Sequence, residues 1–150
     1  MLKNQRSFHA TSRDDRWVTV DAAGQTLGRC AAEIAFILMG KHKATYTPST
    51  VMGDFVVVTN ADKLKITGRK LDQKTYYSHS LHPGHLKETS MKQLLEKKPG
   101  AVLVKAVKGM LPANKTTKVL MTRLKVYTGS EHPHKAQGPT PLTLTRRKAV

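Results

Sequence analysis

The chain has 150 residues, with 26 Lys and Arg against 10 Asp and Glu, a net charge of +16 and a pI near 10.2. That length suits one domain, which buries roughly 70% of the surface its unfolded chain exposes, and the surplus of one sign repels itself until a polyanion, most commonly nucleic acid, covers it. The longest apolar stretch, Ile34 to Met39, is too short to span a bilayer, and the single Cys30 excludes an intrachain disulfide or a cysteine zinc cluster and fits a reducing compartment.

The first sixteen residues hold Lys3, Arg6, Arg13 and Arg16 with Ser7, Thr11 and Ser12, and no acid precedes Asp14. This composition fits either an organelle transit peptide or a basic arm of the mature protein. Trp17 to Ala22 then alternates apolar and polar residues ahead of the Ala23-Gly24 turn, which predicts a strand. Leu27, Ala31, Ile34 and Leu38 recur at helical spacing, with Thr26 placed to cap the helix and Gly40 to end it. Phe36, Ile37 and Met39 widen its apolar face, so this helix is expected to be covered on both flanks.

Phe55-Val56-Val57-Val58 is a continuous apolar run between Gly53-Asp54 and Asn60-Ala61, the pattern of a parallel-sheet strand buried on both faces. Leu64 and Ile66, alternating with Lys63, Lys65 and Thr67, predict a more exposed strand with one basic face. A His-, Gly- and Pro-rich loop follows. Ser90 and Gln93 form a capping box for the next helix, which Pro99-Gly100 breaks. Leu103, Val107 and Met110 make the buried stripe of another helix, with Lys105 and Lys108 outward and Pro112 as its stop. Asn114 can cap a last helix that turns Leu120 and Leu124 inward, before Val126-Tyr127 returns to extended chain.

Alternating strands and helices give an α/β fold class: a single domain with a central, largely parallel sheet of about four strands flanked by helices. Residues 1–16 form an N-terminal arm, 17–128 the core domain, and 129–150 a basic, irregular tail with three prolines and Arg146-Arg147-Lys148.

The turn Gly24-Gln25-Thr26-Leu27-Gly28 lacks the Gly-x-Gly-x-x-Gly spacing of a dinucleotide site, and no P-loop is present. Its glycines are expected to serve a tight turn and close helix packing. His79, His82 and His85 have no carboxylate in their loop before Glu88, and the Pro83-Gly84 interruption prevents helical convergence on a metal. No Ser lies in a nucleophile elbow, and Cys30 on an apolar helix is expected to be inert through a raised pKa. What remains is distributed positive charge. From Lys97 onward, twelve Lys and Arg face one acid, Glu131, so the bases lack local partners. Gly40-Lys41-His42-Lys43 with Tyr46 places cations beside a stacking ring, a combination suited to looped RNA.

Read in order, Trp17-Val18-Thr19-Val20-Asp21-Ala22, Leu27-Gly28-Arg29, Gly40-Lys41-His42-Lys43, Tyr46-Thr47-Pro48, Gly53-Asp54, Asn60-Ala61, Lys108-Gly109-Met110-Leu111-Pro112, Leu124-Lys125-Val126-Tyr127 and His132-Pro133-His134-x-Ala136-Gln137 closely resemble the bacterial-type ribosomal protein L-thirteen family, over about residues 6 to 139. The resemblance implies an α/β domain set into the large ribosomal subunit against ribosomal RNA and neighbouring proteins, with no catalytic residue and no cofactor. It also implies that the lead, with an aromatic near Phe8, belongs to the mature protein. The chain departs from the family's pattern at Thr116-Thr117-Lys118, where relatives carry Leu-Gly-Arg, and at Gly84-His85, where they carry a Gly pair. Phe36, Ile37 and Met39 replace residues that are often basic, which implies an altered contact on that helix, with protein.

The expected function is a structural constituent of the large subunit that organises ribosomal RNA during assembly and translation, the alternative being a free RNA- or DNA-binding regulator. Lys41, His42, Lys43, Tyr46, Lys70, Lys74, Lys108, Lys118, Arg123, Lys125, His132, His134 and Lys135 are the candidate RNA contacts. The expected partners are large-subunit ribosomal RNA and neighbouring ribosomal proteins, without membrane, small-molecule substrate or autonomous homo-oligomer. The expected location is the ribosome in the cytoplasm, with an organellar ribosome as the alternative.

Overall fold

The computed structural model describes residues 14–143. The lead ahead of Asp14, with Phe8, and the Arg146-Arg147-Lys148 cluster lie outside the described residues. The elements run β1 (Trp17–Asp21), α1 (Leu27–Met39), β2 (Phe55–Thr59), α2 (Lys70–Gln73), β3 (Thr75–His79), β4 (Leu86–Ser90), α3 (Met91–Lys97), α4 (Pro99–Met110), α5 (Thr116–Thr122), β5 (Leu124–Val126) and β6 (Thr140–Pro141). Short 3-10 turns occupy Ala61–Lys63 and His134–Gln137. Four strands make a parallel sheet in the order β5-β2-β1-β6, and β3 pairs with β4 in a separate antiparallel hairpin. The single α/β domain with a parallel central sheet is the one the sequence predicts.

The register pairs Val18 with Val56 and Val20 with Val58, so these four side chains share one face. Cys30, Ile34, Ala35 and Leu38 of α1, Leu103 and Val107 of α4 and Leu120 of α5 close over that face. Each large apolar side chain buried this way contributes about 1.5–3 kcal/mol. Ile34, Leu38 and Leu103, which keep no exposed surface, anchor the layer. Val57, on the opposite face, is also fully buried, as expected for a strand covered on both sides. There Trp17 stacks on Phe55 with ring centroids 4.5 Å apart, and His134 tilts over Trp17 at 5.1 Å.

Two glycines let the chain return from α1 to β2. Gly40 ends α1 at φ 79°, its N–H donating to the Ile37 carbonyl at 2.9 Å. Gly53 passes so close to the helix end that a Cβ there would lie 1.6 Å from the Leu38 oxygen.

Other features differ from expectation. Leu64 to Ile66 forms no strand: the 3-10 turn after β2 carries the segment across the start of α1, where Lys65 and Thr26 make a single bridge. The free edge of β1 is taken instead by β6, from the tail expected to be irregular. The loop after Gly68 holds the β3–β4 hairpin. Thr26 sits at the N-cap of α1, but its hydroxyl makes no capping bond and is buried without a partner in the described residues. A side chain added at Gly28 would meet open space, so close packing does not explain that glycine. Met110 is 43% exposed, and Val102 takes its expected place inside. Ile37 is buried and Met39 packs on the core, so the apolar residues of α1 are largely absorbed internally rather than offered to another protein.

The capping box is present in both directions, Gln93 N–H to Ser90 Oγ and Ser90 N–H to Gln93 Oε1, each at 3.3 Å. Pro99 stops α3 and opens α4, whose first turn needs no N–H from it.

Candidate nucleic-acid interface

Arg16, Asp54 and Arg123 directly precede β1, β2 and β5, so parallel pairing gathers them at one end of the sheet. Asp54 is 2% exposed. Its carboxylate accepts from the Arg16 backbone N–H at 3.1 Å, His42 Nε2 at 2.8 Å and Lys43 Nζ at 2.5 Å. Lys43 Nζ also donates to the Asp14 carbonyl. Beside this group Arg123, 5% exposed, donates Nη1 and Nη2 to the Asp15 carboxylate at 3.0 and 3.2 Å, and Nη1 to the Gly53 carbonyl. Its guanidinium lies 4.9 Å over the Phe55 ring. An ion removed from water is tolerated when it is paired and hydrogen-bonded, and here Arg123 makes three such bonds and Lys43 two. Three of the candidate RNA contacts are therefore engaged internally. Arg123 in particular presents no surface to a phosphate, while His42 remains only partly covered.

Lys41, one residue away, is exposed and makes no ion pair with the described residues. With Tyr46 and Pro48 it forms one wall of a groove of about 180 Å³, whose other wall is Pro112, Asn114 and Thr116. Two segments singled out separately in the sequence thus meet. The α4–α5 turn that builds the second wall is locked by its own side chains: Asn114 Oδ1 accepts from the Thr117 N–H at 3.1 Å, and the Thr117 hydroxyl donates to the Pro112 carbonyl. Asn114 therefore caps α5 as expected. The Thr116-Thr117 departure from the family pattern places a buried, hydrogen-bonded hydroxyl in this turn. Lys108, Lys115 and Lys118 flank it, all exposed.

Lys70 and Lys74 stand on and after α2, at the base of the hairpin. Tyr76 lies beneath Lys105 at 4.8 Å and Lys74 at 5.9 Å, and burial pushes its phenol up from the ordinary value. His79, His82 and His85 are exposed on the hairpin and its turn, and no group of three metal-ligating side chains converges among the described residues. In the tail His134 Nε2 bonds the Tyr127 hydroxyl at 2.9 Å, which ties it to the body, while His132 Nδ1 is buried without a partner in the described residues. Lys135 is exposed and Lys125 half-buried. Cys30 is buried, and desolvation, followed by the Glu33 charge, pushes its thiol up to about 11.

The residues missed from sequence are the buried Asp54 and the exposed Asp15 as the carboxylates that hold Lys43, His42 and Arg123, and Pro112 and Thr116 as groove walls. A carboxylate immediately before a strand buried on both faces is itself a signal, because such a group demands a cation.

Fold and surface together define the class: a small, strongly basic α/β protein with an exposed set of unpaired lysines. The profile of the family described as Ribosomal protein L13 matches residues 15–133. Among relatives, Large ribosomal subunit protein uL13 of Nitratidesulfovibrio vulgaris is 56% identical over 129 residues, covering 86% of this chain and 90% of the relative. The proteins of the same name from Aquifex aeolicus and Thermotoga petrophila are 56% and 54% identical, covering 85% and 86% of this chain and 88% and 87% of their own. The chain belongs to the Ribosomal protein L13 family, whose members are structural components and not enzymes.

Proposed function

We propose that this chain is a structural constituent of the large ribosomal subunit that holds segments of ribosomal RNA together by neutralising phosphates, in the ribosome of a bacterial cytoplasm. The observation that carries this reading, beside family membership, is the division among its cations. Lys43, Arg123 and His134 are bonded inside the protein and the partly covered His42 is paired with Asp54, whereas Lys41, Lys70, Lys74, Lys108, Lys118 and Lys135 are exposed without a carboxylate partner in the described residues. Lys125, half-buried on β5, joins the second set. An exposed lysine with no acid beside it gains most from a phosphate, because its contact releases a condensed counterion. Shape and backbone are read more than sequence.

Seven such contacts give a slope of about −5 to −6 when log affinity for large-subunit ribosomal RNA is plotted against log salt. A flat response, or recovery of the protein chiefly outside large-subunit fractions in low-salt, magnesium-containing gradients, overturns the reading and favours a free regulator.

A further inference from the structure

Resting on that reading, we infer that the groove between the loop after α1 and the α4–α5 turn takes one unstacked RNA base, seated against Tyr46, with its phosphate on Lys41. The groove offers its walls to a planar base, and Lys41 stands exposed on one of them, where the phosphate of a seated base can reach it. Its walls are an aromatic ring and two prolines, Tyr46, Pro48 and Pro112, rigid apolar surfaces suited to the face of a base. Its rim is rich in donors. The Asn114 carbonyl oxygen already accepts from the Thr117 N–H, which leaves the amide NH2 for an acceptor on a base edge. The Thr116 hydroxyl makes no bond with the described residues, and Lys41 donates only. A paired base cannot enter, so the site selects a looped or bulged nucleotide. A side chain from a neighbouring protein is the competing occupant, and the unpaired cation at the mouth argues for the nucleotide.

The test is irradiation at ultraviolet wavelengths of the full chain bound to a transcript of large-subunit ribosomal RNA, followed by mass spectrometry of the peptides. We expect a nucleotide adduct on the peptide containing Tyr46, kept by Tyr46→Phe and lost with Tyr46→Ala, which also weakens binding about ten-fold. Asn114→Asp guards against a folding artefact: it keeps the oxygen that caps α5 but replaces the donor with a second acceptor, so melting is unchanged or raised while the adduct falls at least five-fold. Intact binding with no adduct at Tyr46, or an adduct indifferent to both Tyr46→Ala and Asn114→Asp, overturns the inference and leaves the RNA-binding reading standing. In purified large subunits, a protein cross-link at Tyr46 in place of a nucleotide also overturns it. Failure of the wild-type chain to bind the transcript overturns the RNA-binding reading, and the inference with it.

Discussion

Lys41 and Lys43 lie two residues apart in one basic motif, yet they belong to opposite regions of the molecule. Lys43 and His42 turn to Asp54 at the end of the sheet, where the Arg16 backbone N–H also bonds that carboxylate and Arg123 pairs with Asp15 alongside. Lys41 turns outward to a groove with no acid on its walls. In a chain of net charge +16, then, a positive residue is not by itself evidence of a nucleic-acid contact. Some cations hold the fold, and burial against a carboxylate separates them from those that face a partner.

The largest expected effect tests the geometry that makes the inward region possible. Gly53→Ala forces a Cβ into the Leu38 carbonyl, and is expected to cost about 4 kcal/mol or more, or to abolish cooperative unfolding, when followed by urea denaturation. Next, Asp54→Asn removes the charge that compensates Lys43, and is expected to cost about 3 kcal/mol with no change in the salt slope of RNA binding. A slope that changes by a full unit would break the comparison, because it would place Lys43 or His42 on phosphate. Arg123→Lys keeps the charge and loses the fork on Asp15 and the contact with Phe55. Its expected cost is about 1–2 kcal/mol in chemical denaturation, again with an unchanged slope.

The outward region should respond in reverse. Lys41→Gln and Lys118→Gln are each expected to shift stability by no more than about 0.5 kcal/mol, and each to flatten the salt dependence by about 0.7 to 0.9. Filter-binding titrations at several salt concentrations read this directly.

The smallest effect lies at the opposite end of the sheet, where the Asn60 amide donates to Asp21 at 2.8 Å. That bond, with the Ala23 N–H and the Lys63 charge, holds the Asp21 carboxyl below its ordinary 3.8 despite slight desolvation. A lowered folded-state value means the contribution is complete above pH 3.8 and is lost as the pH falls through the lowered value. Asn60→Gly keeps the positive φ of 54° available while removing the amide. The stability gap between wild type and this variant should be constant near neutrality and shrink below about pH 4 in urea titrations.

The elements legible in the sequence are those whose signal is local. The alternation of β1, the apolar run of β2, the spacing of α1 and the Ser90–Gln93 box each lie within a dozen residues. The hairpin was hidden because Thr75-Tyr76-Tyr77-Ser78 does not alternate cleanly and its turn, from Ser80 to His85, is too long for a two-residue turn signal. β6 has two residues, one of them Pro141, and so no period to read. At the candidate site the same rule holds. The exposure of Lys41, Lys108 and Lys118 followed from helix ends and faces, but the burial of Arg123 depends on Asp15, 108 residues away. No window along the sequence contains both.

β6 also bears on the order in which the molecule completes itself. Thr140 donates its hydroxyl to the Trp17 carbonyl across 123 residues, and the Leu142 N–H reaches the Thr19 carbonyl at 2.8 Å. During synthesis, β1 and β2 can therefore pair while one flank of β1 still presents unsatisfied backbone groups, and only a segment translated about eighty residues after β2 covers them. The nascent protein carries an open sheet edge until then, so premature termination ahead of Thr140 would release a nearly complete domain with a strand ready to recruit another chain.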